Sequence, residues 1–412
     1  MTTPIAFTSP ESTTHSLATL RLRKNEDRRI KNGHLWVYSN EINTDITPLK
    51  AISPGQLVEL QDNSGRFIGR GYANPNTLLC ARVLTYDSTQ LINETLFEER
   101  IARALALRER YFKSPYYRLV YGEGDFLPGL VVDRYGDTLS VQITTAGMEQ
   151  FKETLIAMLI KVVQPSRIIL RNDHSMRETE GLESYVETVH GVETNELIQI
   201  IENDTKFLIP VSQGQKTGWF FDHGDNRKKM MPFVQDQRVL DVFSYLGAWS
   251  IQALKAGAKE VWAIDSSASA LEISRENAVI NGVENRFKGL QGDAFQQLKL
   301  LHQQGERFDV VLLDPPAFIK RRKDKKEGVL AYQRINELAM RLLNADGMLI
   351  TSSCSLHLET QELLNAVNRA NQHQNRLTQI VARGHQNVDH PIHPMIPETD
   401  YLKTLYCRTV AK

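Results

Sequence analysis

The stretch Val310–Lys320, VVLLDPPAFIK, sets the frame for the whole chain. A short apolar run bounded by turn residues reads as a strand buried on both faces. It ends on Asp314. Pro315 and Pro316 then stop the strand, fix two φ angles and remove two backbone donors. A stiff turn with a capping carboxylate is the plainest account of this corner. The alternative is that the strand delivers a carboxylate and outward-facing carbonyls to a ligand at the edge of a sheet.

The neighbouring sequence favours the second account. On either side lie RVLDVFS (238–244), a helix pattern near Ser250, EVWAIDS (260–266), a helix over 268–281, RFKGLQGDA (286–294), a helix near Leu298, another over about 330–343, and GMLITSSCS (347–355). Strands alternating with helices predict an α/β fold with a doubly wound, mostly parallel sheet. Ligands of such sheets bind beyond the carboxyl ends of the strands. Asp241, Asp265, Asp293, Asp314 and Cys354 all fall at such ends. A hairpin, ELIQIIENDTKFLIPV (196–211), precedes this region.

The rest of the chain divides into smaller pieces. Residues 1–16 are polar and rich in Ser and Thr, and predict a disordered tail. Residues 17–87 carry short alternating strands with a turn at Asn63-Ser64-Gly65, as in a small β-barrel. Residues 88–194 hold a linker helix (LINETLFEERIARALALRERY) and a strand–strand–helix–strand α+β module. Residues 195–412 form the α/β domain. The 49 basic and 49 acidic side chains balance, so whole-chain charge gives no attraction to nucleic acid, and any such contact must come from local patches. Two basic patches stand out. One is Arg28, Arg29 and Lys31 beside His34, Trp36 and Tyr38. The other is FIKRRKDKKEG (318–328), read as a loop, with Lys320, Arg321, Arg322 and Lys323. Three cysteines without metal-ligand spacing predict neither a disulfide framework nor a metal site, and point to the cytoplasm. There is no secretory signal and no apolar run of membrane-spanning length.

The strand ends suggest two adjoining sites. DVFSYLGAWS (241–250) offers an acid, a sharp turn and Gly247 ahead of a helix, and Asp265 follows at about the spacing of a ribose-binding acid. The turn has a single glycine and not the three that close approach to a pyrophosphate requires, which disfavours NAD and favours S-adenosylmethionine. Phe243, Ser244, Ser266, Asp293, Ala294 and Pro315 complete this candidate cofactor set. Each acid alone also suits a helix cap. At the second site, Cys354 sits on the strand tip next to Asp314. Amine methylation needs no thiol, whereas carbon 5 of cytosine is a poor nucleophile until a thiolate adds to C6. Asp314 with Cys354 therefore points to pyrimidine C5 chemistry on a base reached single-stranded or flipped.

At these residues the chain resembles the bacterial ribosomal RNA large subunit methyltransferase I family. The resemblance rests on RRIKNGHLWVYSNEI, GEGDFLPGLVVDRYGD, GQKTGWFFDHGDNR, VLDVFSYLGAWSI, LLDPPAFIK, SSCS and DHPIHPMIPETDYLK, and covers nearly all of the chain after the tail. It implies an N-terminal PUA RNA-binding domain and a Rossmann-like catalytic domain that uses S-adenosylmethionine. It further implies formation of 5-methylcytidine in 23S rRNA, free or in a large-subunit precursor, by a soluble enzyme without metal, for which a homodimer stays open. It also implies that Lys216, Thr217, Gly218 and Asp222 help enclose the methyl donor, and that Cys354 is the catalytic thiol. Two departures stand out. Related RNA cytosine-C5 enzymes place a second cysteine after the Asp-Pro, where this chain has Pro316-Ala317. The donor turn carries a bulky Trp249 where a smaller residue is expected. Methylation at guanine N7 or an exocyclic amine, and a non-catalytic assembly factor that binds RNA, are the rival readings.

Overall fold

The computed structural model describes residues 17–194, 196–212 and 218–412; the predicted tail, Lys216 and Thr217 lie outside them. The N-terminal sheet contains β1 (Ala18–Arg21), β2 (Trp36–Val37), β3 (Leu57–Gln61), β4 (Phe67–Ala73) and β5 (Ala81–Thr85), in the order β1-β3-β4-β5-β2, with helix α1 (Asp27–Lys31) between the first two. Helix α2 (Glu94–Tyr111) leads to a second sheet of β6 (Tyr116–Tyr121), β7 (Leu130–Tyr135), β8 (Thr138–Ile143), β9 (Arg167–Asn172) and β10 (Tyr185–His190). Its helices are α3 (Ala146–Glu149), α4 (Lys152–Val163) and α5 (Met176–Thr179). A hairpin of β11 (Ile198–Glu202) and β12 (Thr205–Ile209) follows. Asn203 and Asp204 both take positive φ at its two-residue turn, as the right-handed twist of a hairpin demands.

The α/β domain opens with α6 (Gly224–Met230) and continues β13 (Arg238–Val242), α7 (Ala248–Lys255), β14 (Glu260–Asp265), α8 (Ala268–Ile280), β15 (Phe287–Gln291), α9 (Ala294–Gln303), β16 (Phe308–Leu313), α10 (Lys325–Leu342), β17 (Leu343–Ser353), α11 (Thr360–His373), β18 (Arg376–Gly384) and β19 (Lys403–Ala411). The sheet order is β15-β14-β13-β16-β17-β19-β18. The first five are parallel to their neighbours, and β19 runs antiparallel between β17 and β18. The alternation of side chains along β13 and β16 explains their double burial. Leu240, Val242, Val311 and Leu313 face α9, α10 and α11, while Val239, Val310 and Leu312 face α7 and α8. The fold is the predicted one, with two differences. The basic stretch read as a loop through Gly328 is already helical from Lys325, and β18 and β19 extend the sheet beyond the five anticipated strands.

The segment between β18 and β19, residues 385–402, reaches all three units. Ile396 is buried in the core of the N-terminal sheet. Asp389 accepts from the Arg118 backbone amide (2.8 Å), and its carbonyl accepts from Arg108 (2.7 Å). Arg108 is fully buried and meets both oxygens of Asp125, at 2.5 and 2.7 Å. The N-terminal sheet docks on the second through Arg82 and Glu180 (3.0 Å) and through Trp36 donating to Glu123 (2.8 Å). Among the described residues no helix is long and apolar enough to cross a membrane. Replacing Asp125 by Ala leaves the Arg108 charge buried without its partner. Unfolding by urea is expected to show a loss of about 3–5 kcal/mol, the cost of breaking a buried pair by removing one side. An unchanged midpoint would mean that the 385–402 segment holds Arg108 by itself.

Candidate active site

The strand order reverses between β13 and β16, so the crevice of the sheet opens there. The β13 tip is built under strain. Phe243 (φ 69°) and Tyr245 (φ 48°) both take left-handed conformations that non-glycine residues rarely adopt, and such outliers persist where surrounding contacts fix them. The fixing contacts are visible. The Tyr245 amide donates to Asp265 Oδ2 (2.8 Å), and the Ser267 amide donates to its Oδ1 (2.9 Å), so Asp265 clamps two strand-end turns together. Gly247 (φ 77°) is required, because a Cβ there would lie 2.1 Å from Ser274 Oγ.

Asp241 is fully buried beneath this turn. Its Oδ2 accepts from the Ser250 amide (3.1 Å) and hydroxyl (2.6 Å). Its Oδ1 and the Ser244 hydroxyl are buried with no hydrogen-bond partner among the described residues. Burial pushes the Asp241 carboxyl up to about 7, against the pull of Ser250, and nearby Asp314 and Asp265 add to the rise. Open buried polar atoms, two further acids and a turn without a glycine-rich phosphate cradle fit a cofactor with hydroxyls and an ammonium group. Ser266 is exposed beside Asp265. Asp293 is exposed, and its side chain caps α9 by accepting from the Gln296 amide (3.0 Å), with Ala294 buried behind it. Gly218 (φ 117°) and Asp222 are buried, and Asp222 accepts a hydrogen bond from the Tyr401 hydroxyl.

Asp314 stands at the tip of β16 with its side chain 23 % exposed. Its Oδ1 meets His223 Nε2 (3.1 Å), and its Oδ2 accepts from Trp249 Nε1 (3.0 Å). Burial works to raise this carboxyl, but the attraction and hydrogen bond of His223, with that of Trp249, outweigh it and hold Asp314 below the usual range. The bulky residue in the donor turn thus has a specific task. Its indole orients the Asp314 carboxylate and packs against His223, with ring centroids 5.4 Å apart. Neither partner was assigned a role from sequence. Both lie inside the family-like motifs, but spacing alone does not reveal contacts across the crevice.

Cys354 follows β17, whose Thr351 pairs with Leu313 immediately before Asp314. Cys354 therefore lies at the strand tip next to that of Asp314, with Sγ 3.9 Å from the Pro315 carbonyl. Hydroxyls fix its loop. Ser353 donates to Tyr332 (2.8 Å), Tyr332 and Ser355 share a hydrogen bond (2.9 Å), and Ser355 accepts from the Ile319 amide (3.1 Å). Phe318 packs against Tyr332 with ring centroids 4.8 Å apart and planes tilted by 55°, pinning the Asp-Pro-Pro corner to the same group. Lys403 Nζ donates to the carbonyls of Ser355 (3.0 Å) and Tyr401 (2.9 Å). Burial pulls its ammonium down, opposed by Asp400 and by Cys354 itself. This cation was also missed, because β19 had not been anticipated.

The two basic patches differ in their commitments. Lys320, Arg321, Arg322 and Lys323 are exposed where the chain leaves the Asp-Pro-Pro corner, with Arg321 engaging Asp324 (3.2 Å). Arg28 is exposed, but Arg29 meets Glu41 (2.6 Å) and Lys31 meets Asp27 (2.5 Å) and Asp62 (3.2 Å). Among the described residues no group of three His, Cys, Asp or Glu is placed to hold a metal ion.

Comparison with known proteins agrees with this geometry. Residues 20–86 match the PUA-like domain family, and residues 156–382 match the S-adenosylmethionine-dependent methyltransferase family. The chain is 35 % identical over 393 residues to the ribosomal RNA large subunit methyltransferase I of Aliivibrio fischeri strain MJ11, covering 94 % of this chain and 98 % of that one. It is 33 % identical over 395 residues to the protein of that name from Klebsiella pneumoniae strain MGH 78578, covering 95 % and 98 %. Among solved structures it shares its fold with SMU.776, solved in complex with SAH (TM-score 0.82, 19 % identity, 95 % of this chain and 100 % of that one). The methyl donor is S-adenosylmethionine, and the chain belongs to the ribosomal RNA large subunit methyltransferase I family.

Proposed function

We propose that this protein methylates carbon 5 of a cytidine in 23S rRNA, with Cys354 as nucleophile. The names of the relatives support a large-subunit rRNA substrate. The observation that supports the regiochemistry is that Cys354 and Asp314 stand on adjacent parallel strand tips, with the thiol 3.9 Å from the Pro315 carbonyl. Asp241, Asp265, Asp222 and Gly218 border the donor side, with Phe243, Ser244, Gly247, Ser266, Asp293, Ala294 and Pro315 around them. Lys216 and Thr217 are retained in that set by family resemblance.

Bound S-adenosylmethionine supplies an electrophilic methyl group on a sulfonium. The Cys354 thiolate adds to C6 of the cytosine, and the pair of electrons displaced from the 5,6 double bond makes C5 nucleophilic. Asp314, held ionised by His223 and Trp249, favours a proton on N3, which drains charge from the ring and assists that addition. After C5 is methylated, its proton leaves to a base and the C6–S bond breaks, which restores the aromatic ring and the thiolate. The Lys403 ammonium stabilises the thiolate at the start and again on release. Lys320, Arg321, Arg322 and Lys323 reach phosphates at the mouth, and Arg28, Arg29 and Lys31 form a second RNA contact.

With labelled S-adenosylmethionine and protein-free large-subunit rRNA, wild-type protein is expected to give 5-methylcytidine on nucleoside analysis. Cys354→Ala is expected to give none while binding S-adenosylmethionine within a few-fold of wild type. Product from both proteins would instead assign amine or N7 methylation and return Cys354 to a packing role. Lys403→Met, which keeps most of the aliphatic stem, is expected to slow alkylation of Cys354 by iodoacetamide; an unchanged rate would remove Lys403 from the mechanism.

Asp241 gives a prediction about pH. Its carboxyl is raised to about 7 in the folded protein, so it is mostly protonated below that value and ionised above it. The ionised form attracts a ligand ammonium. Affinity for S-adenosylmethionine is therefore expected to fall as pH drops from 7.5 through about 7 to 5.5, by up to tenfold per unit. Calorimetric titrations of Asp241→Asn should give a flatter and weaker profile. A wild-type profile already flat over this window would detach Asp241 from cofactor charge.

A further inference from the structure

Helix α2 carries Arg100, Arg103, Leu107 and Arg110 at spacings of three, four and three residues, which places them along one helical face. That face and the turn Gly124–Phe126 enclose a groove of about 270 Å³. None of the ion pairs formed by the described residues involves Arg100, Arg103 or Arg110. The acidic residue lining the groove, Asp125, is already matched by Arg108 behind it. Arg100 donates only to backbone carbonyls, those of Phe126 and Leu84, and burial followed by the nearby Arg103 pulls its guanidinium down to about 10. Three arginines thus share one face without an ion-pair partner among the described residues, although Glu99 lies near enough to act on Arg100.

Phe126 gives the groove an aromatic rim. Its side chain is 43 % exposed, and its backbone is left-handed (φ 60°), an unusual conformation for a bulky residue. Hydrophobic burial does not explain a phenylalanine held outward in this way. Its ring meets the edge of His393 with centroids 5.5 Å apart. His393 in turn lines a cleft of about 500 Å³, together with Leu356, His357, Glu359, Asp400 and Lys403. Lys403 is the cation that donates to Ser355, next to Cys354. The arginine groove thus adjoins the second cleft through the contact of Phe126 with His393, and Lys403 lines that cleft. The cleft mixes acids with cations and suits the polar edges of bases, whereas the arginine groove suits phosphates.

We propose that the α2 face bearing Arg100, Arg103 and Arg110, with Phe126 as a stacking platform, holds a single-stranded RNA segment flanking the modified nucleotide. Separate cationic and aromatic elements in one groove are what a sequence-tolerant single-stranded site requires, the cations on the backbone and the ring against a base. The inference rests on the reading of the substrate as RNA. It assigns the positioning of that RNA to the linker helix, in addition to the basic patch of the N-terminal domain, where Arg29 and Lys31 already have carboxylate partners.

The test uses the full chain and protein-free large-subunit rRNA, with affinity measured over a salt series. Methyl transfer and S-adenosylmethionine binding are measured alongside. Arg103→Glu with Arg110→Glu is expected to weaken RNA binding roughly tenfold or more at low salt and to reduce the slope of log K against log salt by about 2. Arg103→Gln with Arg110→Gln should show a smaller loss of the same sign, and covers the case in which charge reversal disturbs folding. Phe126→Ala should weaken binding by roughly fivefold or more with little change in the salt slope. In all three, KM for RNA rises while affinity for S-adenosylmethionine stays at the wild-type value. Wild-type affinity and slope in the variants, with wild type still methylating rRNA, would overturn the groove and leave the RNA reading standing. A changed sedimentation coefficient with unchanged RNA affinity would make the face a protein contact and overturn it equally. Absence of RNA binding and of methyl transfer in wild type itself would remove both.

Discussion

Asp314 is a carboxylate in a crevice where burial opposes its charge, and much of the site is arranged to keep it ionised. His223 comes from the turn before α6, Trp249 from α7, and Asp314 from β16. These three elements must meet for the carboxylate to keep its charge. The requirement gives the large indole of Trp249 a contact of its own, 3.0 Å from Asp314 Oδ2. It also couples two strand ends, because the helix that begins at the β13 turn supplies the residue that aims the Asp314 carboxylate. Changes to Trp249 would therefore act on both.

The thiol side is organised on the same principle with weaker groups. A lone cysteine at a strand tip is ordinarily a small hydrophobe. Here its loop is held by Tyr332, Ser353 and Ser355, and Lys403 from β19 donates to the Ser355 carbonyl. Lys403 follows the 385–402 segment, which also lodges Ile396 in the N-terminal core and Asp389 beneath Arg108 and Arg118. One length of chain thus ties the placement of the N-terminal domain to the surroundings of the thiol.

The parts of this arrangement legible in the sequence were those with a period or an abrupt stop. VVLLDPP revealed its strand by its apolar run and its corner by its prolines, and the order of acids at strand ends followed. Asp293 shows the limit of that reading, since the same position serves as a helix cap. The contacts of His223 and Trp249 with Asp314 were hidden because they join residues far apart in sequence with no repeating pattern. The 385–402 segment was opaque for a related reason: it has little regular structure, and its many prolines and polar residues read as surface although several of them are buried. The basic stretches show a third limit. Composition registers charge but not whether a carboxylate already stands opposite, and the shared face of Arg100, Arg103 and Arg110 becomes visible only once α2 is wound into a helix.

The placement of β19 has a consequence for how the domain assembles. Strand β17, which carries the thiol at its tip, pairs on one side with β16 and on the other with β19, where Gly347 meets Thr409, 62 residues further along the chain. An interior strand whose second neighbour comes from so far away cannot be completed by local folding, and such distant pairings slow the approach to the native state. Until β19 arrives, β17 has an open edge capable of pairing with another chain. The same event that closes that edge brings Lys403 beside Cys354. A partly folded molecule is therefore one in which the surroundings of Cys354 are incomplete, and they are completed only when the sheet around it is sealed.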